Sequence, residues 1–214
     1  MQLVLPRLYV ILDATLLPIS AQDCAQELAA AGVRLMQYRN KTASARELLG
    51  TSRSLAALLS PLGVSFIVND RPEVAVLAGA DGVHVGQEDL AAEQARSLVG
   101  PNKWVGISTH NLEQFREAAA TSADYIAVGP IFATLSKANP DPVVGTELIR
   151  RVRGLTAKPI VAIGGITVET AASAIEAGAD SVAVIGDILR APDRARRARQ
   201  YLDVLGAANR AASV

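Results

Sequence analysis

The chain has 214 residues, 50% of them apolar, which suits one domain (1–214) with a sizeable core. Basic and acidic residues balance at 21 each and aromatics reach only 4%, so neither nucleic acid nor an anionic membrane is indicated as a partner. A single cysteine excludes an intramolecular disulfide, two histidines exclude a zinc cluster without carboxylates, and no apolar run spans 18 residues, so a cytoplasmic location is expected.

In chain order, LYVIL (8–12) leads to a helical pattern at 22–31, and VRLMQY (33–38) to one at 45–59. SFIVN (65–69) precedes 71–78, GVHVG (82–86) precedes 91–99, and WVGIS (104–108) precedes 112–121. YIAVG (125–129) is followed by an irregular loop, TLSKANPDPVV (134–144), and then by a helical pattern at 147–153. PIVAIG (159–164) precedes 168–177, and SVAVIG (181–186) precedes a short extra helix at 186–191 and a longer one at 193–205. Eight βα units in this length predict a compact α/β fold, the (β/α)8 TIM barrel. An open doubly wound sheet is the rival; no clear glycine-rich dinucleotide turn supports it. The turns that lead into strands are uniform, as in LAGADGVHV, TSADYIAV and EAGADSVAV, with a small residue to end the helix and a carboxylate to open the strand.

The polar residues cluster at the other ends of the strands, where barrels carry their chemistry. Gln37, Arg39, Asn40 and Lys41 follow the second strand, and Asn69, Asp70 and Arg71 the third. Gln87 and Asp89 follow the fourth, Ser108, Thr109 and His110 the fifth, and Gly129 with Thr134, Ser136 and Lys137 the sixth. Arg39, Lys41 and Gln37 suit a phosphorylated ligand, although solvated cations at a strand exit are as good an account of that motif alone. Asp70 and Asp89 end neighbouring strands roughly 5 Å apart, so they could share one Mg²⁺; either could instead cap the helix that follows it. Gly164-Gly165 and Ile185-Gly186 suit a phosphate cup at the last two strands, or simple close packing. His84 is expected to be bonded within its strand, His110 to be a candidate for binding or proton transfer, and Cys24 and Trp104 to pack.

The ordered set QYRNK (37–41), NDR (69–71), GVHVGQEDL (82–90), GIST (106–109), GPIFATLSK (129–137), PIVAIGGI (159–166) and SVAVIGDI (181–188) resembles the thiamine-phosphate synthase family over nearly the whole chain. The resemblance implies a transferase that couples 4-amino-2-methyl-5-(diphosphooxymethyl)pyrimidine with thiazole phosphate, with Mg²⁺ as cofactor. It implies that Gln37, Tyr38, Arg39, Asn40, Lys41, Asn69, Ser108 and Lys137 bind the pyrimidine diphosphate. Asp70 and Asp89 would hold the metal, and Thr134, Leu135, Ser136, Gly165, Ile185 and Gly186 the thiazole phosphate. Arg39, Lys41, Lys137 and Ser108 would form the catalytic group. One departure stands out: the family's usual I-S-A-I after the last strand reads Ile185-Gly186-Asp187-Ile188 here.

The chemistry agrees with the composition of the mouth. Arg39, Lys41, Lys137 and Mg²⁺, less Asp70 and Asp89, give about +3 to meet a departing diphosphate. An SN1-like ionisation needs no protein nucleophile, and no Ser/His/Asp or Cys/His set is evident. The 134–144 loop is expected to exclude water. A thiazole tautomerase on the same barrel and a non-catalytic thiazole-phosphate sensor are the alternatives; the expected partners are small phosphorylated substrates, with a homo-oligomer possible.

Overall fold

The computed structural model of the protein describes residues 3–133 and 141–211, the last four as backbone only. The strands β1 (Leu8–Asp13), β2 (Leu35–Arg39), β3 (Ser65–Asn69), β4 (Gly82–Val85), β5 (Trp104–Thr109), β6 (Tyr125–Val128), β7 (Ile160–Ile163) and β8 (Ser181–Val184) are all parallel and close in chain order. Closure comes from β8 pairing with β1, Leu8 opposite Val182 and Val10 opposite Val184, which rules out the open-sheet rival. Around the barrel run α1 (Ala21–Ala30), α2 (Ala45–Leu59), α3 (Pro72–Ala78), α4 (Ala92–Val99), α5 (Leu112–Ala120), α6 (Gly145–Arg153), α7 (Val168–Glu176), the short α8 (Gly186–Leu189) and α9 (Arg194–Ala211). Most element ends fall within a residue or two of the sequence reading; α9 runs six residues past it. No helix among the described residues is long and apolar enough to cross a membrane.

The period of two along each strand separates two cores. Leu8, Val10 and Leu12 face outward with Met36, Tyr38, Phe66 and Val68 into the layer shared with the helices. Tyr9 and Ile11 face inward with Leu35, Ile67, Tyr125, Val161 and Ala183 and fill the barrel. Cys24 packs fully buried in the outer layer, where burial raises its thiol pKa to about 11.

The uniform carboxylates at the strand entrances have a repeated use. Asp81, Asp124 and Asp180 each accept from the first free amide of the preceding strand: Phe66, Val105 and Ile160 respectively, all at 2.7 Å. Arg96 and Arg153 pair with Asp124 and Asp180. This end of the barrel is therefore an interlocked stability face, and the opposite rim is left for function.

Interior packing also fixes one glycine. A Cβ on Gly106 of β5 would lie 2.1 Å from Cζ of Tyr125, so the tyrosine ring occupies the space that any side chain there would need.

Candidate active site

The inward register carries polar groups to the rim at the strand ends. Asp13 on β1 stands opposite Arg39 on β2, and Asn69 on β3 opposite His84 on β4. Arg39 forms an ion pair with Asp13, a carboxylate only 2% exposed that also accepts from Thr15 N at 3.0 Å and Thr15 Oγ1 at 2.6 Å. Asp13 was missed in the sequence, although it ends the first strand in VILDAT as Asp70 follows the third. Its presence lowers the expected site charge by one.

Lys41 Nζ lies 3.2 Å from Asp70 Oδ2. Neither acid caps a helix: α3 begins after Arg71 with no side-chain cap, and α4 after Ala91. Asp70 instead adopts φ 62°, the one positive φ of a non-glycine residue among those described, at a cost of about 1 kcal/mol or more. Asp89 folds back to accept from Gly86 N at 2.7 Å. Burial raises the Asp89 carboxyl pKa; the Gly86 amide opposes this, the hydrogen bond and charge of Asp70 add to it, and Lys41 counters again. The two carboxylates thus meet, as their strand positions implied, with one lysine beside them. A pair of hard oxygen donors short of positive charge fits Mg²⁺, which takes one or two carboxylates together with phosphate oxygens. No cluster of three or more metal-ligating side chains occurs among the described residues.

The remaining expected residues divide. Gln37 is 2% exposed and donates through Nε2 to Tyr9 Oη at 2.6 Å. Ser108 Oγ lies 2.8 Å from His84 Nε2, and its carbonyl accepts from Gln87 Nε2 at 2.6 Å. Asn69 sits half-buried at the end of β3. Tyr38 is not brought to the rim: it alternates outward from Gln37 and Arg39 into the helix layer. Asn40 is spent locally, Oδ1 accepting from Thr42 N at 3.2 Å and Ala43 N at 3.0 Å in a turn that leads towards α2. Arg71 pairs with Glu73 at 2.5 Å and braces its own turn. Thr134, Leu135, Ser136 and Lys137 lie outside the described residues.

Both histidines are held. His84 bonds Ser108 through one ring nitrogen and, at 3.1 Å, Tyr125 Oη through the other. Burial lowers its pKa to about 4 against a weaker opposing pull from Asp89, so the ring is neutral at physiological pH. His110 Nδ1 lies 2.7 Å from the Gly129 carbonyl, and Nε2 lies 3.6 Å from Asp141. Its ring joins the exit of β6 to the far end of the following loop.

A cavity of about 480 Å³ opens at β7 and β8, lined by Gly164, Gly165, Ile185, Gly186, Arg190 and Arg197 among others. Gly165 has φ 64°, and a Cβ there would lie 2.2 Å from the Ala133 carbonyl oxygen, so packing alone already requires glycine. The two arginines were not anticipated. Asp187 is tied up: Tyr201 Oη donates to it at 2.7 Å and Arg197 stands 3.8 Å away. Asp187 also lines the cavity, and these two partners offset its charge there in part.

Comparison with known proteins places these features in context. The sequence profile described as "Thiamine monophosphate synthase" matches residues 8–188. A thiamine-phosphate synthase from Koribacter versatilis is 53% identical over 206 residues, covering 94% of this chain and 96% of that one. One from Chloroflexus aurantiacus is 43% identical, covering 91% and 90%. Among solved structures, the thiamine phosphate pyrophosphorylase from Pyrococcus furiosus superposes with a TM-score of 0.86 at 32% identity, covering 94% and 96%. A 3-hexulose-6-phosphate synthase, at 20% identity and TM-score 0.68, shares the fold alone.

Proposed function

Because this chain belongs to the thiamine monophosphate synthase family, we propose how its own residues divide the work of that enzyme. The activity is that of a thiamine-phosphate synthase, which couples the aminopyrimidine diphosphate with thiazole phosphate to give thiamine phosphate and diphosphate. The observation that supports this assignment of sites is the separation of two groups of charged and glycine residues on one rim. Arg39, Lys41 and the Asp70–Asp89 pair stand at β2 to β4, while the glycine- and arginine-lined cavity stands at β7 and β8.

Arg39 and Lys41, with Lys137 from the loop after β6, bind the diphosphate and draw its growing charge as the C–O bond breaks. Asp70 and Asp89 would hold Mg²⁺, which when bound neutralises diphosphate oxygens. Gln37, Asn69 and Ser108 hold the pyrimidine. The C–O electron pair leaves with the diphosphate, and the thiazole nitrogen lone pair forms the new C–N bond, so no side chain acts as nucleophile and no proton is moved. The amides of Gly165, Ile185 and Gly186 take the thiazole phosphate, helped by Arg197, while Thr134, Leu135 and Ser136 contact the same substrate. A tautomerase would not require the cations and both acids, and the relatives carry the synthase name. The lone buried thiol suits a reducing cytoplasm.

The deciding experiment mixes the protein with both substrates and Mg²⁺. Thiamine phosphate and diphosphate should appear in equal amounts, and a chelator should stop the reaction. Full turnover in chelator, or isomerised thiazole phosphate as the sole product, would overturn the scheme.

A further inference from the structure

Five polar side chains from five strands cross the barrel interior beneath the rim. Gln37 Nε2 donates to Tyr9 Oη at 2.6 Å, and the Tyr9 and Tyr125 hydroxyls lie 3.2 Å apart. Tyr125 Oη lies 3.1 Å from His84 Nδ1, and His84 Nε2 lies 2.8 Å from Ser108 Oγ. Tyr9 and Tyr125 are 1% exposed, so neither hydroxyl has water to fall back on.

Proton counting fixes the order. Tyr9 Oη accepts from Gln37, so its own proton has one acceptor in reach, Tyr125 Oη. The Tyr125 proton then goes to His84 Nδ1, which places the imidazole proton on Nε2 and directs it to Ser108 Oγ. The reverse order between Tyr9 and Ser108 would leave the Tyr9 proton without an acceptor in the core, the costly outcome for a buried donor. In the favoured order the one uncommitted hydroxyl proton is that of Ser108, at the rim, and Gln37 keeps its carbonyl oxygen as an acceptor.

We propose that Gln37, Tyr9, Tyr125, His84 and Ser108 act as one polarised hydrogen-bond relay that presents an acceptor on β2 and a donor on β5, and so couples the two ends of pyrimidine recognition. Tyr9, Tyr125 and His84 are positioning residues in this scheme. A 4-aminopyrimidine edge offers an amino donor and a ring-nitrogen acceptor, which match the two ends without moving a proton. A 4-oxopyrimidine edge offers the opposite pattern, and accommodating it requires the whole relay to turn over, His84 tautomer included. The ligand's identity rests on the functional reading above; the relay itself does not.

Two measurements on the full chain test it. Nitrogen NMR of ¹⁵N-histidine-labelled protein at neutral pH, assigned with the His110→Gln variant, should show His84 protonated on Nε2. A proton on Nδ1 would overturn the relay. Next, kcat/KM for the aminopyrimidine diphosphate is measured for Gln37→Ala, Ser108→Ala and the double variant. The relay makes the two losses non-additive by roughly fivefold or more, whereas separate sites on non-adjacent strands should add. Non-additivity should vanish in a Tyr125→Phe background, or in Tyr9→Phe if the first variant does not fold. Additive losses in the otherwise wild-type chain would refute the coupling. A wild-type protein that makes no thiamine phosphate would sink the functional reading and leave the histidine tautomer to judge the relay.

Discussion

Asp13 and Arg39 stand in register at the rim ends of β1 and β2 and meet in an ion pair whose carboxylate is almost wholly shielded from water. A cation proposed to grip diphosphate is thus already oriented by the protein before any ligand arrives. Asp13→Asn keeps the shape and removes the orienting charge. It should lower stability by about 1–3 kcal/mol and raise KM for the aminopyrimidine diphosphate, leaving KM for thiazole phosphate unchanged. Denaturant titration and steady-state kinetics check this; an unaltered pyrimidine KM would mean that Arg39 needs no such guide.

Asp70→Asn and Asp89→Asn should each cut turnover by about a hundredfold or more and shift the Mg²⁺ dependence to higher concentration. Thiazole-phosphate affinity, measured by calorimetry, should stay within about twofold. Parallel loss of both would erase the proposed division of the rim.

His84 gives a signed pH dependence. In the unfolded chain it takes up a proton below about pH 6.5, but the native ring, its pKa lowered by burial, does so only near pH 4. The unfolded state therefore binds more protons between those values, and stability falls as pH drops through that window, by about 3 kcal/mol in all. His84→Gln should flatten that part of the stability curve. Denaturant midpoints compared at pH 7 and pH 4.5 read the difference directly, and identical slopes in both proteins would count against a neutral buried ring.

Tyr201→Phe frees Asp187 from its 2.7 Å hydrogen bond and leaves a less restrained negative charge beside the β7–β8 cavity. KM for thiazole phosphate should rise roughly three- to tenfold, a like-charge effect in a partly screened site. Adding Asp187→Ala should restore it. If the double variant stays as impaired as the single one, the tyrosine acts through packing instead.

The barrel was legible because its signal is repeated: eight apolar runs and three Asp-opened strands state the same unit again and again. The approach of Asp70 to Asp89 was also readable, since both follow neighbouring strands. The balance of charge was not. Asp13 lies on β1, far in sequence from Lys41 and Asp70, and only the closed register puts its carboxylate against Arg39. Tyr38 and Asn40 sit inside the same short motif as Gln37 and Arg39, but the two-residue period sends Tyr38 outward and the turn consumes Asn40. The crossing of Tyr9, Tyr125 and His84 depends on distances across the barrel that no local pattern encodes. Arg190 and Arg197 follow the last strand in a segment read only as helix.

Gly106 has one further consequence. With the Tyr125 ring lodged where its side chain would be, the barrel interior below the proposed pyrimidine site is already filled. Evolution or engineering toward bulkier heterocycles therefore has to widen this bowl from its walls, because excavating downward would dismantle the stave that holds the vessel together.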